Sequence, residues 1–348
     1  MRAVFFLQGE RVPAARARGF AVARALEARG VTCSLRVPRP SVYGDTRLPG
    51  PLAWPRPLYV PLAALARLPQ LRDLRADDVV IFQRPMTELP TTLLERLAAR
   101  GHRTIFDFDD AIFERVSVRA KFHRLVALVD RVVAGNRYLA AAAGAPDKTV
   151  VIPTAVDTDR LAAQPARPAR GRDVVVGWTG LSSNYRQLAH AAAGIARALD
   201  RSGARFLVIS DRPPPPALAA LRPEFVRWRP DTEVEDLARI DVGVMPLPDG
   251  RYERGKCAFK LLQYMALARP GVASPVGANA EVVSEGVDGF LPGDDDAWDA
   301  ALARLIDDPM LRRDMGVRAR ARVESGYALN VVADRYRALI VELQNPLT

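Results

Sequence analysis

Short apolar runs recur along the chain and alternate with amphipathic stretches, the rhythm of strands and helices wound into a parallel sheet. In the first half, strands are expected at residues 3–7, 32–37, 79–82, 104–108, 131–134 and 150–152. Helical periodicity fits 19–29 and 93–100, each stopped by a glycine, Gly30 and Gly101. A second series follows the Pro/Arg/Ala-rich stretch 164–172, which reads as a linker. Its strands are expected at 174–178, 205–209, 225–228, 242–245 and 271–273, and its helices at 185–201, 233–239, 259–268, 297–306 and 311–324.

Two successive α/β units of similar size, without a sequence repeat, imply an α/β fold of two Rossmann-like, doubly wound domains facing a cleft. The expected division is 1–168 and 169–328, with a helix over 329–348 returning to the first domain. Ligands of such sheets sit beyond the carboxyl ends of the strands, so the loops there are where chemistry belongs. The stretch 48–74 breaks the rhythm with prolines and an apolar run at 58–68. It is either an irregular connection or an apolar flap flanked by Arg47, Arg56, Arg67 and Arg72 that meets a lipid acceptor or a membrane surface.

The 348 residues, 49% hydrophobic and 26% charged, describe a globular chain with room for two cores. No run approaches the roughly 20 apolar residues that span a bilayer. The two cysteines, Cys33 and Cys257, lack metal or redox spacing, which fits a reduced, cytoplasmic setting. Charge changes the picture more. Residues 1–170 hold 27 Lys/Arg against 16 Asp/Glu, a net of +11, whereas 171–348 hold 23 against 24, a net of −1. The basic half points to a polyanionic or membrane-surface partner, on the inner face of the membrane, or to arginines that merely solvate helix faces. A nucleic-acid partner is disfavoured, because no basic motif interleaved with aromatics is present.

The most informative stretch runs from Asp241 to Leu291: a buried strand, a loop rich in Asp, Gly and Arg, and a helix starting near Phe259. Spacing places Lys256, Lys260 and Gln263 on one face of that helix and Ala258, Leu261, Leu262 and Met265 on the other. A helix N-terminus favours phosphate, and two lysines beside it make a diphosphate site. Only four lysines exist in the chain, and two of them fall here.

The order LLQYMA, RPGVASPVGANAEVV and EGVDGFL, with VVVGWTGLSSNYRQL and VIPTAVDTDRL before it, resembles the donor-binding half of retaining glycosyltransferases of family 4, the group 1 glycosyltransferases of GT-B fold. The resemblance implies transfer from a nucleotide-sugar co-substrate without cofactor or metal. It implies Gly180 and Ser182 in a turn against the donor phosphates, Arg186 neutralising the diphosphate, and Lys256 and Lys260 reinforcing that clamp. The family carries a pair of glutamates, one in the loop and one on the helix. Here Gly255 and Gln263 stand in their places. Gln263 retains hydrogen bonding to a ribose hydroxyl, and Glu253 is a nearby substitute for the first glutamate.

In the N-terminal half, FDFDDAIF places Asp107, Asp109 and Asp110 at a strand's carboxyl end. Alternation turns Asp107 and Asp109 to one side, with Asp110 opening the turn. Three readings stay open for these carboxylates: acceptor or sugar contact, helix capping, and a metal site. The family resemblance makes Asp109 and Asp110 a cleft-facing pair, Asp109 orienting the acceptor hydroxyl. Arg16 and Arg18 are further candidates for the acceptor side, or an exposed helix start. His102, His123 and His190 lack partner motifs and receive no role. The expected activity is transfer of a sugar from a UDP- or GDP-type donor to a carbohydrate or lipid-linked acceptor, with closure of the domains around both. A sugar-nucleotide epimerase of the same architecture and a catalytically degenerate scaffold are the alternatives.

Overall fold

A computed structural model describes residues 1–10, 12–38, 56–162 and 173–345, with 56–59 described for the backbone alone. The expected linker 164–172, the first residues of the proline-rich stretch, 48–55, and Arg47 before them lie outside the described residues.

The chain divides into two compact units, 1–155 with 329–348, and 156–328. In the first unit β1 (Arg2–Phe6), β2 (Thr32–Arg36), β3 (Asp78–Gln83), β4 (Arg103–Phe108), β5 (Arg131–Ala134) and β6 (Thr149–Val151) form one sheet in the order β2-β1-β3-β4-β5-β6. Every pairing is parallel. The second unit repeats the plan with β7 (Val175–Thr179), β8 (Arg205–Ser210), β9 (Glu224–Arg227), β10 (Val242–Met245), β11 (Gly271–Ala273) and β12 (Gly289–Phe290), ordered β12-β11-β10-β7-β8-β9 and again parallel.

Central strands buried on both faces read as continuous apolar runs. In β7 the alternation supplies two cores: Val176 and Trp178 enter one cluster with Leu199 and Leu302, and Val175 enters the other with Leu261 and Met265. In the first unit Ala3, Phe5, Ile81 and Ile105 pack against Val332, Tyr336 and Ile340 of the helix Leu329–Gln344. That helix also lies along Ala21–Glu27 and is tied to it by the Arg29–Asp334 ion pair at 2.6 Å.

The division between the units comes earlier than the expected boundary at 168. Val156 pairs with Ala328, Leu161 lies in the second unit's core, and Arg320 donates to the carbonyls of Thr158 and Leu161, so 156–162 packs with the C-terminal half. Two expected helices are broken. A π-helical segment, Ala15–Phe20, precedes Ala21–Glu27, and 185–201 is two helices, Tyr185–Ala189 and Ala192–Ser202. Strand β12 has only two residues, too short to stand out as an apolar run.

Candidate donor and acceptor sites

In the second unit the switch in strand order falls between β7 and β10, the place where doubly wound sheets bind ligands. β7 ends at Thr179, whose N–H donates at 2.9 Å to the hydroxyl of Tyr264 on the helix Phe259–Ala266. Burial pushes the Tyr264 phenol up, so it stays a neutral acceptor here. This bond fixes the turn after β7 to the helix that carries Lys260. Gly180 follows, and a Cβ there would lie 2.7 Å from Lys260 Cε and 2.8 Å from the Trp178 ring. Only a glycine lets the turn lie this close to the lysine. Lys260 Nζ stands 5.4 Å from the centre of the Trp178 ring.

The other two expected cations lie on the loop side. The helix Phe259–Ala266 is preceded by Ala258 in the left-handed conformation at φ 53°, so Lys256 lies before the helix and does not share its face. Its ammonium packs 4.7 Å from the ring of Tyr252, on the short helix Arg251–Arg254. From that helix Glu253, buried, pairs with Arg186 at 2.8 Å, and its carbonyl accepts the Lys256 amide at 3.0 Å. A Cβ on Gly250 would meet Glu253 Oε2 at 2.5 Å, so a larger residue there would displace the end of this carboxylate. The Arg186 guanidinium is therefore held by the buried Glu253 carboxylate, the Lys256 ammonium lies on the Tyr252 ring one residue before it, and Lys260 abuts the glycine turn.

Two expectations change. Ser182 gives its N–H to Asp211 Oδ1 at 2.6 Å and its hydroxyl to Oδ2 at 3.1 Å, so its donors hold the turn and are not offered to phosphate. Gln263, which strict helical spacing aligns with the lysines, is buried and donates at 3.4 Å to Glu233 Oε1. Burial pushes the Asp211 carboxyl up, but the hydrogen bonds from Ser182 and Ser210 outweigh this and hold it below its ordinary value. A depressed folded value means that Asp211 stabilises the fold above the ordinary carboxylate range and loses that contribution as pH falls through the folded value. Asp211→Asn should therefore lower the melting temperature near pH 7, and the gap to wild type should close as pH drops below 4, read by thermal melting across pH. A gap independent of pH would sink this account.

In the first unit, Arg18 is buried and fully engaged. It pairs with Asp107 at 2.7 Å and donates to the Ile152 carbonyl at 3.0 Å, to Thr154 Oγ1 at 3.3 Å and to the Tyr336 hydroxyl at 3.0 Å. Tyr336 in turn donates to Asp107 Oδ2. The expected acceptor-side role of Arg18 is corrected: the π-helical segment Ala15–Phe20 turns it inward, onto β4, the chain after β6 and the C-terminal helix. Arg16, half-buried, lies on the same segment.

Asp109 does not share a side with Asp107, because β4 ends at Phe108 and strand alternation stops there. It joins Asp110 on Arg84 instead, at 2.6 and 2.7 Å, with all three side chains mostly buried. Arg84 follows β3 with φ 63°, a conformation costing about 1 kcal/mol or more in a residue with a Cβ. Its N–H donates to the Asp107 carbonyl at 2.8 Å, and with the ion pairs this bond holds it there. Among the described residues no three His, Cys, Asp or Glu side chains converge as a metal site.

Arg67 likewise departs from the flap reading. It is buried, donating to the carbonyls of Leu7, Arg36 and Met86 at 2.6–3.2 Å. Arg84, Glu233, Tyr264 and Asp211 do not stand out in the sequence as site residues. Only Arg84 carries a signal there, as a charged residue directly after an apolar strand.

A family model described as glycosyl transferases group 1 matches residues 173–308. No curated protein matches the chain. Among solved structures, a glycosyltransferase from Rickettsia africae is similar at 15% identity and a TM-score of 0.68, covering 99% of each chain. Anabaena HepE in complex with UDP-glucose is similar at 16% identity and 0.69, covering 98% of this chain and 100% of that one. Sucrose-phosphate synthase from Thermosynechococcus elongatus is similar at 15% and 0.67, covering 98% of each. At these identities the likeness is one of fold. The architecture is the GT-B fold of two Rossmann-like domains, and with the group 1 match over the second unit it supports a transferase.

Proposed function

We propose that the chain is a glycosyltransferase that moves a sugar from a UDP- or GDP-type donor to a hydroxyl of a carbohydrate or lipid-linked acceptor, with retention at the anomeric carbon. The observation that carries this reading is the packing of Lys260 against Gly180 at the carboxyl end of β7, in the same unit as Arg186 held on Glu253 and Lys256 on Tyr252. Cationic groups held in place before the reaction stabilise the charge that develops on a departing diphosphate, which is the work this transfer requires. The bond from the anomeric carbon to the donor phosphate breaks, the acceptor oxygen bonds to that carbon, and the acceptor proton passes to the leaving phosphate. Gln263 serves the donor ribose.

On the acceptor side, Asp109 and Asp110, held by Arg84, orient the incoming hydroxyl. No metal or cofactor takes part in the proposal. The basic N-terminal half and the exposed Leu62, Leu65 and Leu68 support contact with a lipid-linked acceptor at a membrane surface. No helix of the described residues is long and apolar enough to cross a membrane.

A thermal-shift screen against UDP, GDP and ADP, then the matching sugar nucleotides, tests the reading. A diphosphate present at 100 times its Kd should stabilise the protein by about 2.7 kcal/mol, an upward melting shift of several degrees. No shift with any of the three would end the donor assignment, and isomerisation of the sugar nucleotide without an acceptor would favour the epimerase.

A further inference from the structure

Glu233 opens the helix Glu233–Ala238 and is buried, yet no motif in the chain assigns it a task. Its Oε1 accepts from Trp228 Nε1 at 3.2 Å and from Gln263 Nε2 at 3.4 Å, and its Oε2 pairs with Arg160 at 2.8 Å. An ionised carboxylate can only accept hydrogen bonds, so it selects the NH₂ end of the Gln263 amide and turns the carbonyl end away from itself. Gln263 lies on the helix Phe259–Ala266, on the turn after Lys260, so its side chain is held from one end by Glu233.

We propose that Glu233 is a positioning residue for the donor site: it fixes the amide so that Gln263 Oε1 accepts from a ribose hydroxyl, and it makes glutamine, not glutamate, the competent residue at position 263. This rests on the donor-site reading above. A ribose hydroxyl donates to the carbonyl oxygen as it would to a carboxylate, so the hydrogen bond survives the exchange of Glu for Gln. A glutamate at 263 would place a second carboxylate within hydrogen-bond distance of Glu233. Two buried carboxylates that close cannot both stay ionised, so one swings away or takes up a proton, and the alignment is lost. The family's usual residue is therefore the wrong one beside Glu233.

Calorimetric titration of UDP and GDP into wild type, Q263E, E233Q and the exchanged pair E233Q/Q263E tests this, with melting temperatures recorded for all four. The exchanged pair keeps one carboxylate and one amide in contact, the amide now at 233. We expect Q263E to bind about 10-fold or more weakly than wild type, E233Q a few-fold more weakly, and the exchanged pair within about 3-fold of wild type. Equal affinity of Q263E and wild type would overturn the proposal. So would an exchanged pair that recovers the wild-type melting temperature but binds no better than Q263E. If wild type itself binds neither nucleotide, the donor-site reading fails first and this one with it.

Discussion

Lys260→Ala should weaken binding of the preferred nucleoside diphosphate about 10- to 100-fold, because a charge-assisted contact contributes about 1.5–3 kcal/mol. The ammonium stands over Trp178 beside the Gly180 turn, at the carboxyl end of a central strand and tied to it through Tyr264 and Thr179. It is the cation with least freedom to be elsewhere. Arg186 is 70% exposed, and Lys256 precedes the helix. Alanine at either position should therefore cost less. Because Lys260 is only half-buried, its removal should leave stability within about 0.5 kcal/mol. Calorimetry and melting together separate lost binding from lost folding. Wild-type affinity in Lys260→Ala would show that the cluster at β7 is not a phosphate clamp.

Arg18→Ala should destabilise the protein by about 3–5 kcal/mol, because it leaves the Asp107 carboxylate buried without its ion pair. Asp107 is wholly buried, and its other support is the Tyr336 hydroxyl. Burial already pushes the Asp107 carboxyl up against the opposing pull of Arg18, so loss of the guanidinium should push it further up. The network joins the π-helical segment, β4, the chain after β6 and the C-terminal helix, so its loss loosens the whole first unit. A fall of roughly 6–20 °C in melting temperature is expected for a unit of this size. Replacing both partners with apolar residues, Arg18→Met with Asp107→Leu, should cost much less than the two single changes added together. A single variant that melts with wild type, or additive losses in the double, would refute the account.

Much of the architecture is legible in the sequence because parallel strands buried on both faces must be continuous apolar runs. The expected 131–134, 242–245 and 271–273 coincide with β5, β10 and β11, the other eight expected strands differ by a residue at one or both ends, and β12 has no expected counterpart. The rarity of lysine also marks the helix at Phe259 from composition alone. The acidic triplet is harder. Asp107 and Asp109 are two apart in sequence, but one is inside the strand and the other past its end, so alternation puts Asp109 on the wrong side. Arg16 and Arg18 look alike as sequence, and a π-helical turn separates them into a half-buried residue and a buried one.

From its own residues the chain determined two α/β units, where their strands end, and the segment, at the start of the helix Phe259–Ala266, that holds two of the four lysines. Each of these depends on local periodicity and chain composition. Tertiary structure alone decided the partners: Glu253 for Arg186, Glu233 for Gln263, Arg84 for Asp109 and Asp110, Tyr336 for Arg18. Each of these contacts joins segments from different parts of the chain, and the energy of a charge depends on how far it is buried and on what lies within a few ångströms. Neither of these is set by the order of residues along one strand or helix.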